Sequence, residues 1–332
     1  MTAKEPTPDS TTAKPRRRIR QMLKLMLAAM LLLGVVELWR GYRQLSAVHD
    51  LEGIGGLGGR IATAAVLPKW LHDLLGDDLS KMYDEVTAVT LDRSDVTDAT
   101  LEPIHRLTSV RTIELSRTQV GDAGLAHLNC LTSLSWLDLS QTLVDDAGLA
   151  QLKAHTRIEN LNLGQTKISD AGLANLRGMA DLRSLDVRST QIGDAGLAHL
   201  KGLLELRSVD LSVTKVTDAG LAHLKTFPRL ESVDLSYTKV TKAGLKHLQG
   251  IPRLLTLRLN GMFLLDSSLE PLLGIPKLER LALTRTLVTD AGLKKLQKLD
   301  HLKIIELDGT RTTPQGRAML RKALPNCKVT PD

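Results

Sequence analysis

The sequence predicts an α/β solenoid. It is a horseshoe with parallel strands on the concave face and short helices on the convex face, preceded by a single N-terminal transmembrane helix. Three observations predict it. From Val86 onward the chain repeats every 24 residues, with an anchor position at Asp98, Asp122, Asp146, Asp170, Asp194, Asp218, Lys242, Asp266, Asp290 and Pro314. Ten in-phase copies without insertion mean stacked units that bury a continuous core only together. Within each copy, "LxL" alternates apolar and polar residues, as in Leu137-Asp138-Leu139, the period of a strand with one buried face. Before the repeats, Met22–Leu38 is interrupted only by Lys24, Gly34 and Glu37.

Residues 1–18, rich in Thr, Pro, Lys and Arg, are too polar to bury a core and read as a disordered basic tail. The anchor is assigned to 19–42. Its seventeen apolar-centred residues give a helix of about 25 Å, at the short end for a bilayer crossing. Lys24 can snorkel, and Trp39 and Tyr42 stand where interfacial aromatics belong. Six basic residues precede the apolar centre and two follow closely. The positive-inside rule then puts the N-terminus in the cytoplasm and the repeats outside it. A cleaved signal peptide and an ordinary buried helix are the competing readings; "LSA" at Leu45–Ala47 is a poor cleavage site.

A linker is expected over 43–67. It contains "GIGGLG" at Gly53–Gly58, a formal match to the dinucleotide fingerprint. That motif works between a strand and a helix, and "LSAVHDLE" is a poor strand, so a turn is the plainer reading. Residues 68–85 read as an amphipathic capping helix, with Trp70, Leu71, Leu74 and Leu75 on one side.

The repeats are expected over 86–313. Each reads LxxLxLxxTx[VI]xDAGLxxL, as in "LRSVDLSVTKVTDAGLAHL" from Leu206 to Leu224. Parallel rungs need crossovers, and "DAGLxxL" supplies a short helix for each. The position before the anchor holds Thr97, Gly121, Asp145, Ser169, Gly193, Thr217, Thr241, Leu265, Thr289 and Thr313. All but Leu265 are favoured N-cap residues. The anchor is then the first helical residue, where an acid complements the helix dipole and Pro314 is equally at home. The glycine two positions on is expected to let helix starts approach the neighbouring rung. A C-terminal cap is assigned to 314–332, where "LPNCKV" puts Val329 in phase with Ile305.

These units resemble the leucine-rich repeat family from residue 86 to about 330. The column Thr118, Thr142, Thr166, Thr190, Thr214, Thr238, Thr286 and Thr310 stands where many members carry an asparagine ladder, which looks like the 24-residue bacterial variety. "LPKWLHDLLGDD" followed by "VTAVTLDRSDVTDATL" further resembles membrane-anchored repeat proteins of planctomycete-type bacteria. The resemblance implies a binding scaffold.

Charge and cysteine content narrow the function. The formal charge is +7, yet residues 1–45 hold nine Lys/Arg against three Asp/Glu. The remainder is near neutral, without the clustered positive charge a nucleic-acid surface needs. Cys130 and Cys327 lie eight rungs, roughly 40 Å, apart and cannot pair. His127, His199, His223 and His247 of the repeated "DAGLxHL" lie about 140° from their aspartate around a helix. They make poor metal ligands, and no cofactor, catalytic or metal-binding set is assigned.

The candidate ligand surface is the concave face. Its outward column reads Thr90, Glu114, Asp138, Asn162, Asp186, Asp210, Asp234, Arg258, Ala282 and Glu306. The run from Glu114 to Asp234 forms an acidic stripe, which Lys167, Lys215 and Lys239 are placed to offset. Trp136, Tyr237 and Phe263 are its aromatic anchors. Asn260–Leu273 departs furthest from consensus and offers an apolar patch beside Arg258. The stripe serves either a cation or basic partner, or simply the repeat consensus. The expected function is a membrane-anchored, non-enzymatic recognition scaffold for a protein or envelope component. An envelope spacer without a dedicated ligand, and an enzyme with an unrecognised site, are the other readings.

Overall fold

The computed structural model describes residues 39–51, 60–64, 85–91 and 95–331. The tail and Met22–Leu38, "GIGGLG", and all of 68–85 but Glu85 lie outside them. Among the described residues no helix is long and apolar enough to cross a membrane.

Among the described residues one sheet of twelve strands runs in sequence order. Its first members are β1 (Arg60–Ala64), β2 (Glu85–Thr90), β3 (Thr112–Glu114), β4 (Trp136–Asp138), β5 (Asn160–Asn162) and β6 (Ser184–Asp186). They are followed by β7 (Ser208–Asp210), β8 (Ser232–Asp234), β9 (Thr256–Arg258), β10 (Arg280–Ala282), β11 (Ile304–Glu306) and β12 (Lys328–Thr330). From β2 to β12 every pairing is parallel and shifted by one repeat, for example Leu137↔Leu161 and Ile305↔Val329. Each rung buries the middle residue of its strand and the leucines around it, so one core runs the length of the stack. The helical segments lie opposite, from Asp170–Leu173 at the short extreme to Pro314–Ala323. Strands stack at about 4.8 Å and helices need ~8–10 Å, so such a stack bends with the sheet inside.

The linker expected over 43–67 contains structure. Helix 39–51 buries Ala47 and Leu51 in the common core, and Arg106 ties it down through Asp50 at 2.8 Å. β1 pairs antiparallel with β2, with a register shift between Ala62 and Thr63. Together they occupy the end of the stack, where an open rung would otherwise expose its core.

The anchor aspartate does more than complement its helix. Asp98 Oδ1 accepts the Gly121 N–H at 2.7 Å, Asp122 that of Asp145 at 3.0 Å and Asp170 that of Gly193 at 2.7 Å. Where the next N-cap has a hydroxyl, the second carboxylate oxygen takes it as well. Thr217 donates N–H and Oγ1 to Asp194 at 2.8 and 2.6 Å, and Thr313 donates the same pair to Asp290. Each aspartate thus staples its rung to the next. This corrects the capping role expected of Thr217, whose side chain makes no cap bond to its own helix. The Thr313 bonds hold Asp290 below the ordinary carboxylate value. Asp122 is pushed up, by burial first and then by Asp145 beside it.

The staple explains the glycine. A Cβ on Gly124 would lie 2.5 Å from Asp98 Oδ1, and one on Gly196 2.5 Å from Asp170 Oδ1. Two copies carry another residue in the glycine column, Thr100 and Ser268, and the residues one repeat before their helix starts are Leu74 and Lys242. Where no aspartate precedes, no glycine follows. The unclaimed N–H then turns to the local hydroxyl: Thr97 N–H donates to Thr100 Oγ1 at 2.9 Å, Leu265 N–H to Ser268 Oγ at 3.3 Å. Every backbone donor must find a partner, and the sequence supplies one or the other. Lys242 pairs instead with Glu270 at 2.5 Å, joined by Lys295 at 2.9 Å. The absent carboxylate at position 242 thus accounts for Ser268 in the divergent stretch Asn260–Leu273.

The threonine column acts within its own turn. Thr142 Oγ1 donates to the Leu139 carbonyl at 2.6 Å, and the same three-residue bond recurs at Thr118, Thr166, Thr190, Thr214, Thr238, Thr286 and Thr310. The preceding residue is left-handed, with φ of 54° to 61° at seven non-glycine positions including Val213. That geometry aims its N–H along the stack, as from Val213 to the Ser236 carbonyl at 2.9 Å. It is costly for a β-branched residue, and is held because the next rung needs the donor.

Candidate functional site

Parallel register aligns the outward residues into columns. Glu114↔Asp138↔Asn162↔Asp186↔Asp210↔Asp234↔Arg258 are consecutive partners, one strand apart. Like charges at that spacing repel. The offset is different from the expected one: among the described residues no ion pair joins Lys167, Lys215 or Lys239 to the stripe. Glu114 accepts from Thr90 Oγ1 one rung away, at 3.3 Å, and the aspartates turn back on their own chain. Asp138, Asp210 and Asp234 accept the N–H of Ser140, Ser212 and Ser236 at 2.8 Å, and Asp186 that of Arg188 at 2.9 Å. Asn162 breaks the run usefully, accepting from Gly164 N–H and donating to Asp138 Oδ2, both at 3.0 Å.

Two stripe carboxylates are perturbed. Burial pushes Asp186 up to about 6, with Asp210 and Asp138 adding to the shift and Arg188, 3.5 Å away, opposing it. Burial also raises Asp234, against hydrogen bonds from Ser236, with Asp210 contributing further. Desolvation leads in both.

The aromatic residues do not share one surface. Trp136 projects from β4 and is 45% exposed. Tyr237 occupies the left-handed turn after β8, its ring over Gly261, where any Cβ would collide with it. Phe263, 91% exposed, falls five residues beyond β9 in the strand-to-helix turn, with the exposed Leu265 nearby. It belongs to the edge of the solenoid and not to the concave face expected for it. Arg258, exposed at the end of β9, does lie on the sheet.

The repeated histidines sit on the helical side and are half-buried. His199 Nδ1 lies 2.7 Å from an Arg177 guanidinium nitrogen. Among the described residues no three His, Cys, Asp or Glu side chains are grouped to hold a metal ion. Cys130 and Cys327 are both free, and burial pushes the Cys327 thiol up to about 11.

Two features escaped the sequence reading. His155 stands in a core column otherwise filled by residues such as Leu131, Met179, Leu203 and Phe227; it is 2% exposed, with Nε2 3.0 Å from the Leu128 carbonyl and Nδ1 without a partner among the described residues. A pit of about 60 Å³ opens on the sheet between Arg258, Arg280, Ala282 and Glu306. Its signal was Ala282, the one small side chain in the outward column.

A family model described as Leucine Rich repeat matches residues 179–200. Solved structures that align with the chain include an internalin from Listeria monocytogenes, at 15% identity and a TM-score of 0.37, covering 78% of this chain and 92% of that one. A leucine-rich repeat protein of Leptospira interrogans aligns at 17% identity and a TM-score of 0.40, covering 69% and 74%. No curated protein sequence matches the chain. The chain resembles leucine-rich repeat proteins in its 24-residue motif.

Proposed function

We propose that the protein is a membrane-tethered recognition scaffold that presents its sheet face, outside the cytoplasm, to a protein or envelope component, with no catalytic step of its own. Leucine-rich repeat folds commonly serve as protein-binding scaffolds; fold alone does not fix function. The observation that carries the reading is the outward face of the sheet. Eleven strands in parallel register display aligned polar columns whose charge runs from acidic over β3–β8 to basic at Arg258 and Arg280, with Trp136 exposed among them. A bare spacer needs no such ordering. Tethering rests on the basic-then-apolar sequence before residue 39.

Replacing Asp186, Asp210 and Asp234 together by Asn tests the surface, because all three are held by backbone N–H groups that Asn Oδ1 can also accept. Partners cross-linked in intact native cells are expected to be lost with the triple variant. An unchanged cross-link pattern removes the sheet face from the account and favours the spacer.

A further inference from the structure

The sheet face changes character at β9. Thr256, Arg258, Arg280, Ala282, Ile304 and Glu306 surround a pit of about 60 Å³, floored by Leu257 and Leu281. Ala282 creates it. Its column partners one rung away are Arg258 and Glu306, and a methyl group between two long side chains leaves the space above it empty. Arg280 stands two residues earlier on the same strand and points to the same side. Both arginines are exposed. Among the described residues neither guanidinium has a hydrogen bond or an ion pair; Asp234, one rung from Arg258, acts on it only through space.

Two unpaired guanidinium groups beside one small hollow are a specific arrangement. Each offers five N–H donors in a rigid planar fork and no acceptor, the geometry that matches a carboxylate with two parallel hydrogen bonds. The hollow has room for a small planar head group.

We propose that this pit receives the carboxylate of one glutamate or aspartate side chain, carried on an extended segment of the protein bound at the sheet face. The proposal rests on the sheet-face reading above. Charge complementarity limits the segment further. Toward the N-terminal rungs a second ligand carboxylate meets Asp234 and Asp210, and on the other side it meets Glu306. The segment therefore carries a single acid at the pit and is neutral or basic on the side lying over β7 and β8. A polyacidic ligand is excluded.

The test uses full-length protein in detergent and a fluorescent, C-terminally amidated nonapeptide, with one central glutamate among serine, glycine and lysine residues, read by anisotropy at low salt. A second peptide carries glutamine at the centre. Wild-type protein is expected to bind the glutamate peptide about tenfold more tightly, the preference that two charge-assisted bonds provide over neutral ones. Arg258→Gln with Arg280→Gln is expected to erase that preference, and Ala282→Leu to erase it by filling the pit without changing charge. Glu306→Gln is expected to increase it by removing the one carboxylate beside the pit. Equal binding of the two peptides by wild-type protein, or a preference that survives both pit variants, overturns the proposal. If the peptides bind equally and Asp186→Asn, Asp210→Asn and Asp234→Asn together weaken both, the pit falls while the sheet face stands. If neither peptide binds, the pit falls, and the native cross-linking comparison decides the sheet face separately.

Discussion

The sharpest structural prediction concerns Asp170 and Gly196, which form one inter-rung staple. Asp170→Ala removes the only side-chain acceptor of the Gly193 N–H, a part-buried bond of 2.7 Å. Losing a charge-assisted acceptor costs about 1.5–3 kcal/mol. Gly196→Ala breaks the same bond from the other side, because its Cβ would lie 2.5 Å from Asp170 Oδ1 and the carboxylate must move. That loss is partly offset by about 1 kcal/mol of helix propensity. With Asp170 already alanine, the nearest atoms left to the new methyl belong to the flexible Ile192 and Leu173 side chains, at 3.1 and 3.2 Å, which must give by a few tenths of an ångström. Gly196→Ala should then be neutral or stabilising. The double-mutant cycle is expected to show about 2 kcal/mol of coupling, within the range for groups in direct contact. Urea unfolding read by circular dichroism and by tryptophan fluorescence measures it, provided m stays constant through the cycle. Additivity within about 0.5 kcal/mol would refute the staple as the reason for the glycine.

Three further outcomes follow from the same contacts. Lys242→Asp alone should destabilise, since it gives up the Glu270 pair and crowds Ser268; with Leu265→Thr and Ser268→Gly it should gain about 1–2 kcal/mol by completing the missing staple, measured by urea midpoint. His155→Leu should raise stability by about 1 kcal/mol, because it removes a buried nitrogen without a partner while the Leu128 carbonyl keeps the Leu131 N–H; a lower melting temperature would contradict this. Asp186, raised to about 6 from 3.8, contributes stability that is fully present below about pH 4 and lost as pH rises through about 6. Asp186→Asn should therefore flatten the stability profile over that window and stabilise at pH 7 by an amount on the order of 1 kcal/mol, screening included.

Periodicity made the stacked strands, the buried leucine column and the crossovers legible, because a 24-residue repeat with "LxL" alternation has few other ways to bury its apolar face. The alignment of Glu114 through Arg258 followed from the same register. What the sequence hid are relations between copies. Asp170 reads as a helix-start acid when its own unit is considered, and only stacking shows that it serves Gly193 in the next. Lysines spaced five residues from the stripe looked like its counter-charges, yet local backbone N–H groups reach the carboxylates first. Phe263 was counted among the aromatics of the concave face, but strands of three residues end quickly, and Phe263 lies five residues beyond β9, just before the helical segment that starts at Asp266. His155 gave no signal beyond being polar in an apolar column. Helix 39–51 and β1 were hidden by a composition resembling a linker, and their role depends on covering an end that only the assembled stack possesses.

Whether the outward face of the sheet is the recognition surface is decided by site-directed photo-cross-linking in intact native cells. A photoreactive residue at Ser208, on the sheet, is compared with one at Ala222, exposed on the helical side. A recognition surface on the sheet yields a discrete cross-linked partner from position 208, lost when Asp186, Asp210 and Asp234 are Asn, and none from position 222. The same partner captured only from position 222, or capture from position 208 that ignores the triple substitution, would contradict it.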